Sequence, residues 1–302
     1  MTIYSTIGSN KRKTWFLIIF FMLFFFGVSY VLGRALGYGS SLAGIMLIIS
    51  GLMSFASYYY SDKIVLALSG AQPADEKKHR DLIESVENLA IASGLPMPKV
   101  YTVNDPAPNA FATGRDPHHA AVVATTGILE KLTKSELEGV IGHELSHVKN
   151  YDTRLMGVVS ILAGSIVILS DFFMRSLFWG GIGGRDRDRS SANGIFLIIG
   201  LVAAILAPIA ATLIQLAISR RREYLADADG ALLTRYPEGL ARALEKISAD
   251  KNVLKHASNA TAHLYIENPF KADSRGKSTS FLAGLFSTHP PIEERIKILR
   301  SM

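Results

Sequence analysis

Hydrophobic and polar positions fall into alternating blocks along this chain. Trp15 to Leu32 is almost unbroken apolar sequence, with Lys11, Arg12 and Lys13 ahead of it. A run of that length behind basic residues predicts a membrane-spanning helix whose N-terminal side faces the cytoplasm. No small-residue cleavage site stands out and a second block, Leu42 to Tyr58, follows at once, so a retained helix is expected rather than a signal peptide. Tyr58, Tyr59, Tyr60 and Lys63 close that second block as an aromatic and basic interfacial anchor.

From residue 63 to about 154 the pattern is that of a water-soluble segment. Asp75 to Ser93 has helical periodicity, with Leu82, Ile83, Val86, Leu89 and Ala90 on one side. Lys99 to Val103, Asn109 to Thr113 and Ala120 to Thr125 read as short strands, and Thr133 or Ser135 caps an amphipathic helix after them. Apolar sequence returns at 155–174 and again at 194–218, the latter ending on Arg220, Arg221 and Arg222. The purely apolar stretch Leu155 to Leu169 gives only about 22 Å of helix, so Phe172, Phe173 and Met174 are needed to extend it. Between these two blocks lies a glycine-rich loop carrying Arg185, Arg187 and Arg189, residues that favour the cytoplasm. The pair either crosses the bilayer with an atypical loop or dips in and returns, and crossing is the expectation. Residues 219–302 are polar and mostly helical in pattern. The expected organisation is thus a transmembrane hairpin (1–62), a cytosolic part (63–154), a second hydrophobic hairpin (155–218) and a second cytosolic part (219–302).

Composition narrows the chemistry. There is no cysteine in 302 residues, which removes disulfides, thiolate metal sites and cysteine nucleophiles. The net charge of +6 could suggest nucleic acid, but the basic residues sit beside apolar blocks, as topology signals do, so a lipid bilayer is the expected partner and nucleic acid is not. Mean hydropathy is positive, at +0.24, as a chain combining membrane segments with a soluble part requires.

The candidate chemistry is concentrated in His143-Glu144-Leu145-Ser146-His147. On a helix this spacing puts two imidazoles on one face, one turn apart, with a carboxylate beside them. It suits two nitrogen ligands of a tetrahedral zinc and a glutamate general base. The alternative is a chance match on a solvated helix. A catalytic zinc needs a third protein ligand, and without cysteine this is a carboxylate or another histidine. Glu223 and Asp227 are i and i+4 on one helical face: one can bind metal while the other orients a ligand histidine through its second ring nitrogen. Their alternative is a solvated acidic face answering the arginine run. Asn150, three residues past His147, is a second candidate for orienting a ligand.

Taken together, His143 to Asp152, Glu223 with Asp227 after a hydrophobic pair, the segment Asn109-Ala110-Phe111-Ala112-Thr113-Gly114, and Ser287-Thr288-His289-Pro290-Pro291 resemble the HtpX membrane zinc metalloproteases, gluzincins related to the CAAX prenyl endopeptidases. The likeness runs over nearly the whole chain. It implies an α+β, mainly α, multi-pass membrane protein with a zincin-like metalloprotease domain. It implies one Zn2+ per chain on His143, His147 and Glu223, and catalysis by Glu144. It also implies a cell-membrane (inner-membrane) location with the site on the cytoplasmic side, and a role in clearing misfolded membrane proteins under stress.

Within that scheme Glu144 moves the proton from water to the leaving amine. His289, held rigidly ahead of two prolines, is the candidate second oxyanion donor, with a plain helix-entry role as the alternative. Asn109, Ala110, Phe111 and Ala112 are the candidate edge strand for an extended peptide, with an ordinary core strand as the alternative. His79, His118, His119, His256 and His263 are expected at the surface. A prenyl-protein endopeptidase and a non-enzymatic membrane scaffold are the competing functions. The lysines and glutamates around the motif helix argue against chemistry inside the bilayer.

Overall fold

The computed structural model describes residues 3–35, 41–180, 220–254, 264–266 and 290–302. The apolar block 194–218 and His289, His256 and His263 lie outside the described residues.

Helices α1 (Ile3–Ala35) and α2 (Ser41–Leu68) contain the segments Ile7–Tyr30 and Ala43–Leu68, each long and apolar enough to cross a membrane. Both helices outrun their apolar blocks because nothing in the flanking sequence breaks them. The last turns of α2 continue because Val65 and Leu66 are buried against Val103, Phe111 and Val123 of the sheet. A long helix α6 (Asp152–Gly180) takes in the third apolar block, and its Leu155, Val158, Leu162 and Ile166 pack on Leu17, Phe21 and Phe25 of α1. The opposite faces of α1 and α2 present Phe16, Ile19, Leu23, Ile45, Ile48, Leu52 and Phe55 outward.

Between α2 and α6 lies a small sheet of β1 (Gln72–Pro73), β2 (Lys99–Val103), β3 (Ala110–Thr113) and β4 (Ala121–Thr125) in the order β1-β2-β4-β3. β2 runs parallel to β4, β3 antiparallel to it, so β3 is the sheet's edge. The three longer strands lie within a residue of their expected bounds. Helix α3 (Arg80–Ser93) starts five residues later than its periodicity suggests. The Asp75 carboxylate accepts the N–H groups of Lys77 and Lys78 at 2.9 Å and ties those residues into a turn.

A short helix α4 (Thr126–Lys131) leads to α5 (Lys134–Lys149), which carries the motif. Of the two expected caps, Thr133 is used: its side chain receives the Glu136 N–H, and Glu136 reaches back to the Thr133 N–H at 2.8 Å. Apart from Glu144, the acidic residues and lysines of α5 lie towards its ends, whereas 139–148 is buried on every side. The sheet and α3 cover one face, and α7 (Arg220–Thr234) and α8 (Pro237–Ala249) cover the other. Leu137, Val140, Ile141 and Leu145 share one core with Val122, Ala124, Leu240 and Leu244, so residues from both sides of the second hydrophobic block build a single core. Glycines set the spacing. A Cβ on Gly139 would come within 2.6 Å of the Leu240 backbone, and one on Gly230 within 2.8 Å of His143 N. Helix α9 (Ile292–Leu299) closes the end.

Candidate metal centre and active site

The close crossing at Gly142 and Gly230 brings the first two turns of α7 alongside the motif histidines. His143 Nε2 and His147 Nε2 lie 3.2 Å apart. Glu223 presents one carboxylate oxygen to each, 3.7 Å from His143 Nε2 and 3.6 Å from His147 Nε2. All three residues are buried, and their ligand atoms lie within 4.8 Å of one another. Glu144, on the same helix, is buried and receives the Ala112 N–H of β3.

Each imidazole is held from behind. Asp227 Oδ1 stands 2.9 Å from His143 Nδ1, the placement expected of a group that orients a ligand. Asp227 is in turn gripped by Arg295, a wholly buried residue of α9, with Nε to Oδ2 at 2.8 Å and Nη2 to Oδ1 at 2.6 Å. Burial alone would raise the Asp227 pKa, but the Arg295 charge and bonds outweigh it and bring it to about 2. Behind His147 stands Asp152, Oδ2 to Nδ1 at 3.0 Å. Burial would lower the His147 pKa, but the bond to Asp152 and the charges of Glu223 and Glu144 outweigh it and raise it to about 9. Burial pushes the Glu144 carboxyl above its ordinary range.

This donor set fits a divalent cation. Bonding at both Nδ1 atoms leaves the two Nε2 atoms facing each other and Glu223. The carboxylates Glu144, Glu223, Asp152 and Asp227 gather around the two imidazoles, with only Arg222 and Arg295 as guanidiniums beside them among the described residues. A buried acidic cluster of this kind, with two imidazole nitrogens turned into it, suits a cation.

Asn150 caps α5, and its amide lies near Ser146 Oγ and Asp229 Oδ2, at 3.3 and 3.4 Å, rather than at a ligand ring. At the sheet edge, Ala110 N–H meets Asn109 Oδ1 at 3.1 Å and Ala110 C=O accepts the Ile266 N–H at 3.1 Å. Phe111 points into the core against Tyr265, so part of the expected peptide edge is covered by Leu264–Ile266. His118 and His119 are exposed, and His79 is half-buried. Three residues at the site carried no assignment from sequence. Asp152 comes five residues after His147, close enough for spacing to have suggested it. Arg222 read as a membrane stop, and Arg295 sits in an unremarked amphipathic helix.

Residues 76–302 match the model of peptidase family M48. The chain is 48% identical over 302 residues to a protein named protease HtpX homolog from Caldanaerobacter subterraneus subsp. tengcongensis, covering all of this chain and 98% of the relative. Equally named relatives from Dictyoglomus turgidum and Tropheryma whipplei (strain Twist) are each 46% identical, over 100% and 99% of this chain and 95% and 98% of their own. The fold is similar to that of the crystal structure of S. mikatae Ste24p, with a TM-score of 0.50 at 18% identity, covering 98% of this chain and 66% of that one.

Proposed function

The chain belongs to peptidase family M48 and is a metallopeptidase, and we propose that it works as a membrane-anchored, zinc-dependent endopeptidase. Its substrates, on this reading, are cytosolic regions of misfolded or damaged membrane proteins. The observation that carries the proposal is the convergence of His143, His147 and Glu223 beside the buried Glu144. The two histidines and Glu223 hold one zinc per chain. When bound there, zinc would supply Lewis-acid chemistry, acidifying a water and polarising the scissile carbonyl. Glu144 is placed to take a proton from the attacking water and deliver it to the leaving amine, and its burial raises its pKa, which makes it a stronger base. Asp227 and Asp152 fix the ring orientations. An extended substrate pairs along β3 beyond the Ile266 contact, next to Glu144, and His289 supplies the second oxyanion donor.

The apolar outer faces of α1 and α2 support membrane anchoring, because a soluble surface does not expose apolar area so continuously. Trp15 stacks on Tyr58 with ring centroids 5.6 Å apart, an aromatic pairing of the kind favoured at a bilayer interface. Lys11, Arg12 and Lys13 beside them support a cytoplasmic site and a multi-pass topology, with the block 194–218 as a further span.

Metal analysis of the detergent-purified protein tests the reading, with one zinc per chain expected. Glu223→Ala should lose zinc and activity together. Glu144→Gln should keep zinc while proteolysis falls by about 10²–10⁴-fold, the loss expected without proton transfer. Full zinc in Glu223→Ala would move the third ligand elsewhere, and an active, clean Glu144→Gln would remove the base assigned here.

A further inference from the structure

Asn10 lies near the start of α1, just before the apolar block, and is 2% exposed. Nothing in its surroundings in sequence marks it out. Its amide nitrogen donates to Asp152 Oδ1 at 2.7 Å and to the Asn150 carbonyl at 2.9 Å. Its amide oxygen accepts from Arg222 Nη1 at 3.3 Å. Arg222 Nη1 also lies 3.3 Å from Asp152 Oδ1, and Asp152 gives its other oxygen to His147. One side chain therefore engages the corner that follows His147 and the residue that precedes Glu223.

We propose that Asn10 is a positioning residue for the metal site: from the membrane helix α1 it fixes Asp152, and through it the His147 ring, while holding Arg222 and so the start of the Glu223 helix. The inference rests on the reading of His147 and Glu223 as zinc ligands. An asparagine suits the post because it offers two donors to the Asp152–Asn150 corner and an acceptor to Arg222, which no other uncharged side chain of its size does. A buried carboxylate bonded on one oxygen to an imidazole must have its other oxygen satisfied, or the orientation of both loosens. The transmembrane helix is by this account part of the active-site framework as well as an anchor.

The test is a chelator competition on the full-length protein in detergent, measuring zinc affinity in wild type, Asn10→Ala, Asn10→Ser, Asp152→Ala, Asn10→Ala with Asp152→Ala, and Thr14→Val. Loss of a partner behind a metal ligand costs about 10–100-fold in metal affinity. Asp152→Ala should fall in that range and Asn10→Ala near its lower end, and Asn10→Ser should recover part of the loss. In the Asp152→Ala background Asn10→Ala should add little, since the two act in series. Excess zinc should restore turnover to Asn10→Ala. Thr14 is buried in the same helix, and its hydroxyl donates to the Asn10 carbonyl rather than to the Asp152–Arg222 cluster, so Thr14→Val should bind zinc as wild type does. Wild-type affinity in Asn10→Ala, or an equal loss on top of Asp152→Ala, overturns the inference. If Asn10→Ala does not fold, Asn10→Ser compared with Thr14→Val decides it, equal affinities again overturning it. Absence of zinc from the wild type would instead sink the reading of the site.

Discussion

Arg295 grips both carboxylate oxygens of Asp227, at 2.8 and 2.6 Å, with the guanidinium wholly buried. Asp227 in turn holds His143. Removing the cation alone leaves a buried carboxylate without its partner, so Arg295→Met should cost about 3–5 kcal/mol of stability and lower zinc content. Arg295→Lys restores charge but not the two-pronged geometry, and should recover stability only in part. Thermal unfolding with metal analysis on both variants checks this, and a fully wild-type Arg295→Met would show the pair to be dispensable.

The glycine crossing gives a second expectation. A methyl group at Gly230 would lie 2.8 Å from His143 N and must push α7 away from α5. Gly230→Ala should destabilise by about 1–3 kcal/mol, the usual cost of overpacking, and weaken zinc binding because Glu223 and Asp227 ride on the displaced helix. Gly44, whose added Cβ meets nothing within 4 Å, is the control: Gly44→Ala should leave metal binding intact.

The cap of the motif helix predicts an acid limb in stability. Burial alone would raise the Glu136 pKa, but bonds from Lys246 Nζ, at 2.6 Å, and from Thr133 outweigh it and hold it below the ordinary value. A carboxyl depressed by folding stabilises the native state above its unfolded pKa and loses that contribution as pH falls through its folded pKa. Glu136→Gln should therefore be less stable than wild type at neutral pH, by about 1 kcal/mol. The gap should close below about pH 4, the ordinary glutamate range. Denaturant titrations across that interval measure it, and a gap independent of pH would contradict the ionic cap.

The closeness of the site to the membrane helices predicts a preference among substrates. Asn10, in contact with the corner after His147, lies five residues before Trp15, about 7.5 Å of helix. A poorly folded segment anchored in the same bilayer should be cleaved faster than the same segment supplied free, because the shared membrane raises its effective concentration. Equal rates in reconstituted vesicles would speak against it.

Much of this arrangement was legible in the amino-acid pattern because it is local. The spacing of His143 and His147, and of Glu223 and Asp227, places each pair on one helical face wherever that helix lies. The short apolar and β-branched runs at 99–103 and 120–125 and the Thr133 cap likewise need only their neighbours. What was not legible depends on long-range packing. Asp152 reaches His147 only because Tyr151 takes a left-handed φ of 59°, a conformation costing a non-glycine residue about 1–2 kcal/mol, and its ring is held between Lys11 and Arg154. Arg295 looks like any surface arginine until α9 is docked. That Ile266 would cover the edge at Ala110 has no signature in residues 264–266 at all.

The order of these parts along the chain sets a sequence of events during synthesis. His143, Glu144 and His147 are translated well before Glu223, and Arg295 after all of them. A growing polypeptide therefore carries Glu144 without Glu223, and later His143, His147 and Glu223 without the clamp on Asp227. On the reading proposed above, the clamp on Asp227 is the last of these parts to be made, so the framework around the ligands is completed only when Arg295 has been added.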